Sequence, residues 1–288
     1  MRFAEAMATS GLIPRAIVAD GRWYRCATED KPRKRNGAYL LAVDGRRGWW
    51  KNYALESEFN TWTSQESTPV DSARLAAKAR ANARQDARQR FEAVRRVRAY
   101  FEKLPHLNGG HPYLTLKGLT VQGCGNVRRD GDLLVIPVCI GRSLMSVQTI
   151  SPAGVKLFAR NCPVGGGWFE IGSPGAGVTC LAEGFATGLA VYQSAPNLRV
   201  IVCFDAGNMV KVARSIKLSG LTVVCADNDR NGKVNTGIEK GLQAAQALGC
   251  GIAYPEGIEG TDWADALQEW RSPVRVRMEI MRRARVAV

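Results

Sequence analysis

Thr222-Val223-Val224-Cys225-Ala226-Asp227-Asn228-Asp229 carries the most information per residue in this 288-residue chain. An apolar, partly β-branched run enters an Asp-x-Asp pair and continues into Arg230-Asn231-Gly232. Such a run reads as a buried parallel strand that ends in a polar turn. Residues i and i+2 of a strand point the same way, so Asp227 and Asp229 are expected to aim two carboxylates at one point. Carboxylates held together repel and take up protons unless a cation lies between them. Hard divalent ions such as Mg²⁺ favour these oxygen ligands and keep room for phosphate oxygens. An isolated Asp-x-Asp is equally compatible with a solvated strand-end turn.

Two upstream stretches repeat the arrangement. Val178-Thr179-Cys180-Leu181-Ala182 ends in Glu183-Gly184 and leads into a helical pattern from Ala186 to Tyr192. Arg199-Val200-Ile201-Val202-Cys203-Phe204 ends in Asp205-Ala206-Gly207-Asn208, ahead of a helical segment from Met209 to Lys217. Three consecutive strand-to-helix units thus each place an acid at a strand's C-terminal end, the edge where parallel α/β sheets bind ligands. Turn chemistry alone does not require that coincidence.

Glu183-Gly184-Phe185-Ala186-Thr187-Gly188, Phe204-Asp205-Ala206-Gly207-Asn208, Ala226-Asp227-Asn228-Asp229 and Gly260-Thr261-Asp262-Trp263-Ala264-Asp265 resemble, in this order and spacing, the Toprim domain of plasmid- and phage-type DNA primases. The resemblance is closest over residues 178–270. It implies a Rossmann-like, mainly parallel α/β sheet that binds Mg²⁺ or Mn²⁺ for phosphoryl transfer. Glu183, Asp227 and Asp229 match the acidic triad and are the implied catalytic and metal-ligating residues. Asp262 matches a further acidic position, and Asp205 and Asp265 are weaker matches. Many replicative primases carry another acid where this chain has Thr187, which leaves the number of metal sites open.

Composition narrows the class. The net charge is +14, and its distribution is uneven. Residues 71–103 hold ten Lys and Arg against four Asp and Glu, whereas residues 178–272 hold eight against ten. Carboxylates for a metal, flanked by basic segments that hold a polyanion, fit that distribution. The eight cysteines lie apart with no Cys-x-x-Cys, and only His106 and His111 are histidines. Free thiols are therefore expected rather than a zinc ribbon. No apolar run suits a signal peptide or a membrane span, so a cytoplasmic protein is expected.

The rest of the chain falls into four stretches. Residues 1–67 read as a small α+β module with strands around Trp23–Cys26, Tyr39–Val43 and Trp49–Tyr53. Its aromatics, Trp49 and Trp50 among them, interleave with arginines and lysines, a pattern suited to stacking bases while cations hold phosphates. A small aromatic core with a basic rim has the same composition. Residues 71–104, free of Gly and Pro, read as one long basic linker helix. Residues 105–177 return to β-character from His111 onward and resemble the strand-rich half of a primase core. Arg128, Arg142, Lys156 and Arg160 are its candidates for nucleotide or template contacts. Residues 273–288 read as a basic amphipathic helix that either docks on the core or meets a partner.

The function expected is primer synthesis on single-stranded DNA from nucleoside triphosphates, in phage- or plasmid-type replication. A replicative helicase or other replication protein is the expected partner, because no helicase-sized domain or zinc ribbon is evident. The alternatives are a primase-derived single-stranded DNA-binding accessory that has lost synthesis, and a Toprim nuclease, since one fold serves several activities.

Overall fold

The computed structural model describes residues 2–56, 58–65, 72–230 and 234–284. The turn residues 231–233, the expected helix start at Asp71 and the final residues 285–288 lie outside that range. The chain divides into two compact units, Met1–Gln89 and Arg90–Val288.

The first unit is a short helix, α1 (Phe3–Ala8), followed by β1 (Leu12–Ile13), β2 (Trp23–Thr28), β3 (Gly37–Leu41), β4 (Arg47–Asn52) and β5 (Asn60–Thr63). All five strands pair antiparallel in sequence order. Two-residue alternation decides which side chains face the helix. Tyr24, Tyr39 and Trp50 stand opposite one another in register and point inward, and the core they join holds Phe3, Met7, Leu12 and Leu41. Phe3 meets Trp50 edge-on at 5.9 Å between ring centroids. Gly48 is required for this approach, because a Cβ there would overlap the Phe3 ring.

Helix α2 (Ser72–Lys103) follows. Next comes α3 (Pro112–Leu116), where β-character was expected. Pro112 at the first helical position and a His111 Nδ1 that accepts from the Tyr113 N–H start this turn. An antiparallel sheet of β6 (Arg128–Asp130), β7 (Leu133–Ile140), β8 (Ser143–Ile150) and β9 (Lys156–Phe158) comes after it. The next strand, β10 (Phe169–Ile171), does not join that sheet and pairs antiparallel with a strand of the following one.

That next sheet contains β11 (Val178–Ala182), β12 (Arg199–Val202), β13 (Leu221–Cys225) and β14 (Gly251–Ala253), in the order β10-β12-β11-β13-β14. Apart from β10 it is parallel. Helices α4 (Phe185–Ser194), α5 (Ala206–Ser215), α6 (Thr236–Leu248), α7 (Trp263–Trp270) and α8 (Pro273–Ala284) complete the chain. Both faces are covered, which is why the strands read as continuous apolar runs. Leu181, Ile201 and Val224 lie in one apolar layer with α5 and α6. Cys180, Val200 and Val223 lie in the other, with α4, α7, α8 and residues of β7. The basic tail helix docks on this core, burying Val276, Ile280 and Ala284. All eight cysteines are free.

Candidate active site

Strand register builds the site. Ala182, the last residue of β11, stands opposite Val202 and Cys225, the last residues of β12 and β13. The residues that follow, Glu183, Asp205 and Asp227, therefore emerge along one edge. Chain connectivity opens that edge at one place. From β11 the chain turns toward β12 through α4, and from β13 it turns toward β14 through α6, on the opposite face. Adjacent strands whose connections diverge leave a crevice at their C-terminal ends. Glu183 and Asp227 both stand at that crevice.

Each acid has its own surroundings. Glu183 accepts a hydrogen bond from the Ala206 backbone, but its Oε2 is buried without a partner. Burial, reinforced by the Asp229 and Asp205 carboxylates, pushes the Glu183 carboxyl up to about 7. The Asp227 carboxyl is held well above the usual range by burial and by the negative charges of Glu183 and Asp262. Thr187 partly offsets this, its Oγ1 donating to Asp227 Oδ1 at 3.0 Å. A hydroxyl on α4 therefore orients the carboxylate, at the position where the sequence departs from the resemblance. Asp227 and Asp229 lie beyond the end of β13, in the loop, so strand geometry does not align them. Asp229 turns toward α6, where the Gly237 N–H donates to its Oδ2 at 3.0 Å. Gly237 has no substitute there, since a Cβ would overlap the Asp227 carbonyl oxygen.

Asp205 and Asp262 are helix caps. Asp205 Oδ1 accepts from the Asn208 N–H at 2.7 Å, and the preceding Phe204 has a left-handed backbone, φ 73°. Asn208 locks the turn by donating to the Gly167 and Cys203 carbonyls. Asp262 Oδ1 accepts from Asp265 N at 2.8 Å, and its Oδ2 takes Lys117 Nζ at 3.0 Å. Lys117 also reaches Asp265 Oδ1 at 2.8 Å. Burial pulls the Lys117 ammonium down, but the two carboxylates outweigh it and hold the ammonium above the ordinary lysine value.

Among the described residues, no three His, Cys, Asp or Glu side chains form a ready metal-ligand set. The donors nevertheless suit a hard divalent cation: oxygen atoms, mutual repulsion, and one buried carboxylate oxygen with nothing to accept from.

The run from β11 to α7 matches a family model described as Toprim domain, over residues 178–271. Residues 178–271 have a Toprim-type fold. Over 88% of its length the chain is also similar to two Escherichia coli proteins named DNA primase TraC, at 28% identity to each. It spans only 26% of one and 19% of the other. The primase fragment of the bacteriophage T7 primase-helicase protein is similar at 14% identity and a TM-score of 0.44, over 62% of this chain and 79% of that one. The DnaG primase catalytic domain bound to ssDNA is similar at 11% identity and a TM-score of 0.41, over 69% and 82%.

The basic candidates divide around the Toprim domain. Lys156, on β9, reaches its edge: a Cβ on Gly184 would lie 3.8 Å from Lys156 Nζ, whose charge opposes the rise at Glu183. Phe158 on the same strand packs against Phe204 at 5.8 Å, which fixes β9 beside the Asp205 turn. Arg128 and Arg142 line a different cleft, shared with Phe101, Trp168 and Glu170. Arg160 is exposed beyond β9. In the first unit Trp50 is buried and donates its Nε1–H to Ser10 Oγ, while Trp49 is half-buried on the opposite face of the sheet. Lys117 is the site residue that sequence reasoning missed. It lies 145 residues from Asp262 in the chain, and nothing near it in sequence marks it. Among the described residues, no helix is long and apolar enough to cross a membrane.

Proposed function

We propose that this chain is a primase, synthesising short primers on single-stranded DNA by Mg²⁺- or Mn²⁺-dependent nucleotidyl transfer, in replication of the phage or plasmid type. The observation that carries the reading is the meeting of Glu183 and Asp227 at the crevice between β11 and β13, with Glu183 Oε2 buried and unpartnered. The similarity to proteins named DNA primase supports the substrate class.

Glu183, Asp227 and Asp229 would hold the metal. When bound, a divalent cation in such a site activates a 3′-hydroxyl and offsets the charge of a triphosphate. The chain's own residues divide the remaining work. Thr187 keeps one Asp227 oxygen fixed, so its other oxygen is the one left to face the crevice. Lys156 places a positive charge beside Glu183, where an incoming triphosphate would sit. A Glu183 carboxyl that titrates near neutrality is also suited to take the proton from the attacking hydroxyl. Asp262 and Asp265, occupied by Lys117, hold the loop that borders the site.

That occupation of Asp262 also favours a second reading, a single-stranded DNA-binding accessory without synthesis. Incorporation of labelled ribonucleotides on a single-stranded template, with and without Mg²⁺, separates the two. Synthesis that requires Mg²⁺ and disappears in Asp227→Asn/Asp229→Asn supports the primase. Full activity in that double variant would sink it, and DNA binding without incorporation supports the accessory.

A further inference from the structure

The outward face of the first unit's sheet combines aromatic rings with cations. Register sets its rows: Trp23, Leu40 and Trp49 stand opposite one another, as do Arg25, Ala38 and Lys51. Both rows point away from the core that holds Tyr24, Tyr39 and Trp50. Tyr53 and Phe59, at the end of β4 and just before β5, extend the surface. Trp23 is 51% exposed, Tyr53 49% and Phe59 43%, far beyond what an aromatic residue of a small core shows.

These rings form one cluster. Phe59 lies 4.9 Å from Trp23 and 6.3 Å from Tyr53 between centroids. The Arg25 guanidinium stands 4.4 Å over the Tyr53 ring, and Lys51 Nζ lies 5.1 Å from Tyr53 and 5.5 Å from Phe59. Among the described residues of β2 to β5, the charged side chains at outward positions are Arg25, Arg47 and Lys51, all cations.

We propose that this face binds single-stranded nucleic acid, with bases stacking on Trp23, Tyr53 and Phe59 and phosphates held by Arg25 and Lys51. A protein partner would be served by exposed rings alone. Cations laid directly over those rings present positive charge and π-surface within one nucleotide's reach, which matches a polymer of anionic links and flat bases. A duplex hides its base faces and cannot use the rings. The inference deepens the proposed function by locating the strand, and it rests on that reading for the identity of the polymer.

The test uses the full chain and a labelled single-stranded oligo(dT), with no metal or nucleotide, followed by fluorescence anisotropy across a salt series. Trp23→Ala/Tyr53→Ala/Phe59→Ala should weaken binding by at least about tenfold at fixed salt and leave the salt slope unchanged, because stacking is lost and charge is not. Arg25→Ala/Lys51→Ala should reduce the slope of log K against log salt by about 1.4, the value for two phosphate contacts on a single strand. Melting curves should stay near wild type, since the altered side chains are largely exposed or half-buried. A folded triple variant with wild-type affinity overturns the proposal and assigns the face to a protein contact. A wild-type chain that binds oligo(dT) through these residues but incorporates no nucleotide would defeat the catalytic reading and leave this one standing.

Discussion

Lys117 Nζ lies 3.0 Å from Asp262 Oδ2 and 2.8 Å from Asp265 Oδ1, tying the turn after α3 to the first turn of α7. The three side chains are between about a sixth and a quarter exposed, so the ion pair is screened far less than one on the surface. Its position gives the site a built-in cation at the acid that the Toprim resemblance marks as a metal ligand. Asp262 thus serves Lys117 and the α7 cap, and the carboxylates proposed to hold a metal are Glu183, Asp227 and Asp229.

Lys117→Met should therefore have two effects. It leaves two carboxylates without their counter-charge, at a cost of about 2–3 kcal/mol, somewhat below that of a fully buried pair. Urea unfolding of the metal-free chain at neutral pH measures this. It also frees Asp262 for a divalent ion, so added Mn²⁺ should raise Tm more in the variant than in the wild type. Equal Mn²⁺ responses would show that Lys117 has no influence on the metal site.

Gly237→Ala should damage the site through the backbone. The added Cβ would overlap the Asp227 carbonyl oxygen and come within 3.2 Å of Asp229 Oδ2. Relief requires α6 to move off the loop, at a cost of roughly 1–3 kcal/mol. Nucleotide incorporation should fall more than stability does. Gly125→Ala, where an added Cβ has nothing within 4 Å, is the control and should change neither.

Trp49 and Trp50 provide a test of strand parity. Trp50, 6% exposed, packs on Phe3 and bonds Ser10, so Trp50→Ala should cost about 3–5 kcal/mol in chemical denaturation. Trp49→Ala should cost markedly less. Comparable losses would mean that the sheet's two faces are not distinct.

Much of the parallel sheet was legible because apolar strand runs followed by an acid and a helical pattern occur three times in succession, and period and punctuation are local signals. The register that aligns Ala182, Val202 and Cys225 is not local, yet it follows once the strands are parallel and their ends coincide. Trp49 and Trp50 were read together as stacking candidates, although alternation along β4 already places them on opposite faces. The turn that became α3 was misread because its cap is a histidine ring nitrogen instead of a Ser, Thr, Asp or Asn oxygen. The partners of Asp262 could not be read at all, since Lys117 reaches it only through tertiary packing.

The acids at the crevice should also set how the metal-free protein responds to pH. Glu183 has a folded-state pKa of about 7 against an ordinary value of 4.5, and Asp227 is shifted in the same direction. A group whose folded pKa is raised binds its proton more tightly in the folded state. Its contribution is thus fully present below the unfolded value and is lost as pH rises through the folded one. Unfolding free energy should accordingly fall between about pH 4.5 and pH 7 through these groups, by roughly 1–3 kcal/mol for Glu183. Glu183→Gln removes that titration. The difference in stability between the variant and the wild type should then grow in the variant's favour across the same window, whatever other groups titrate in common. Saturating Mg²⁺ or Mn²⁺ should flatten the wild-type profile, because a bound cation favours the ionised carboxylates. Parallel pH profiles for wild type and Glu183→Gln in the absence of metal would show that Glu183 is not a strained acid, and the crevice would lose its claim to hold a cation.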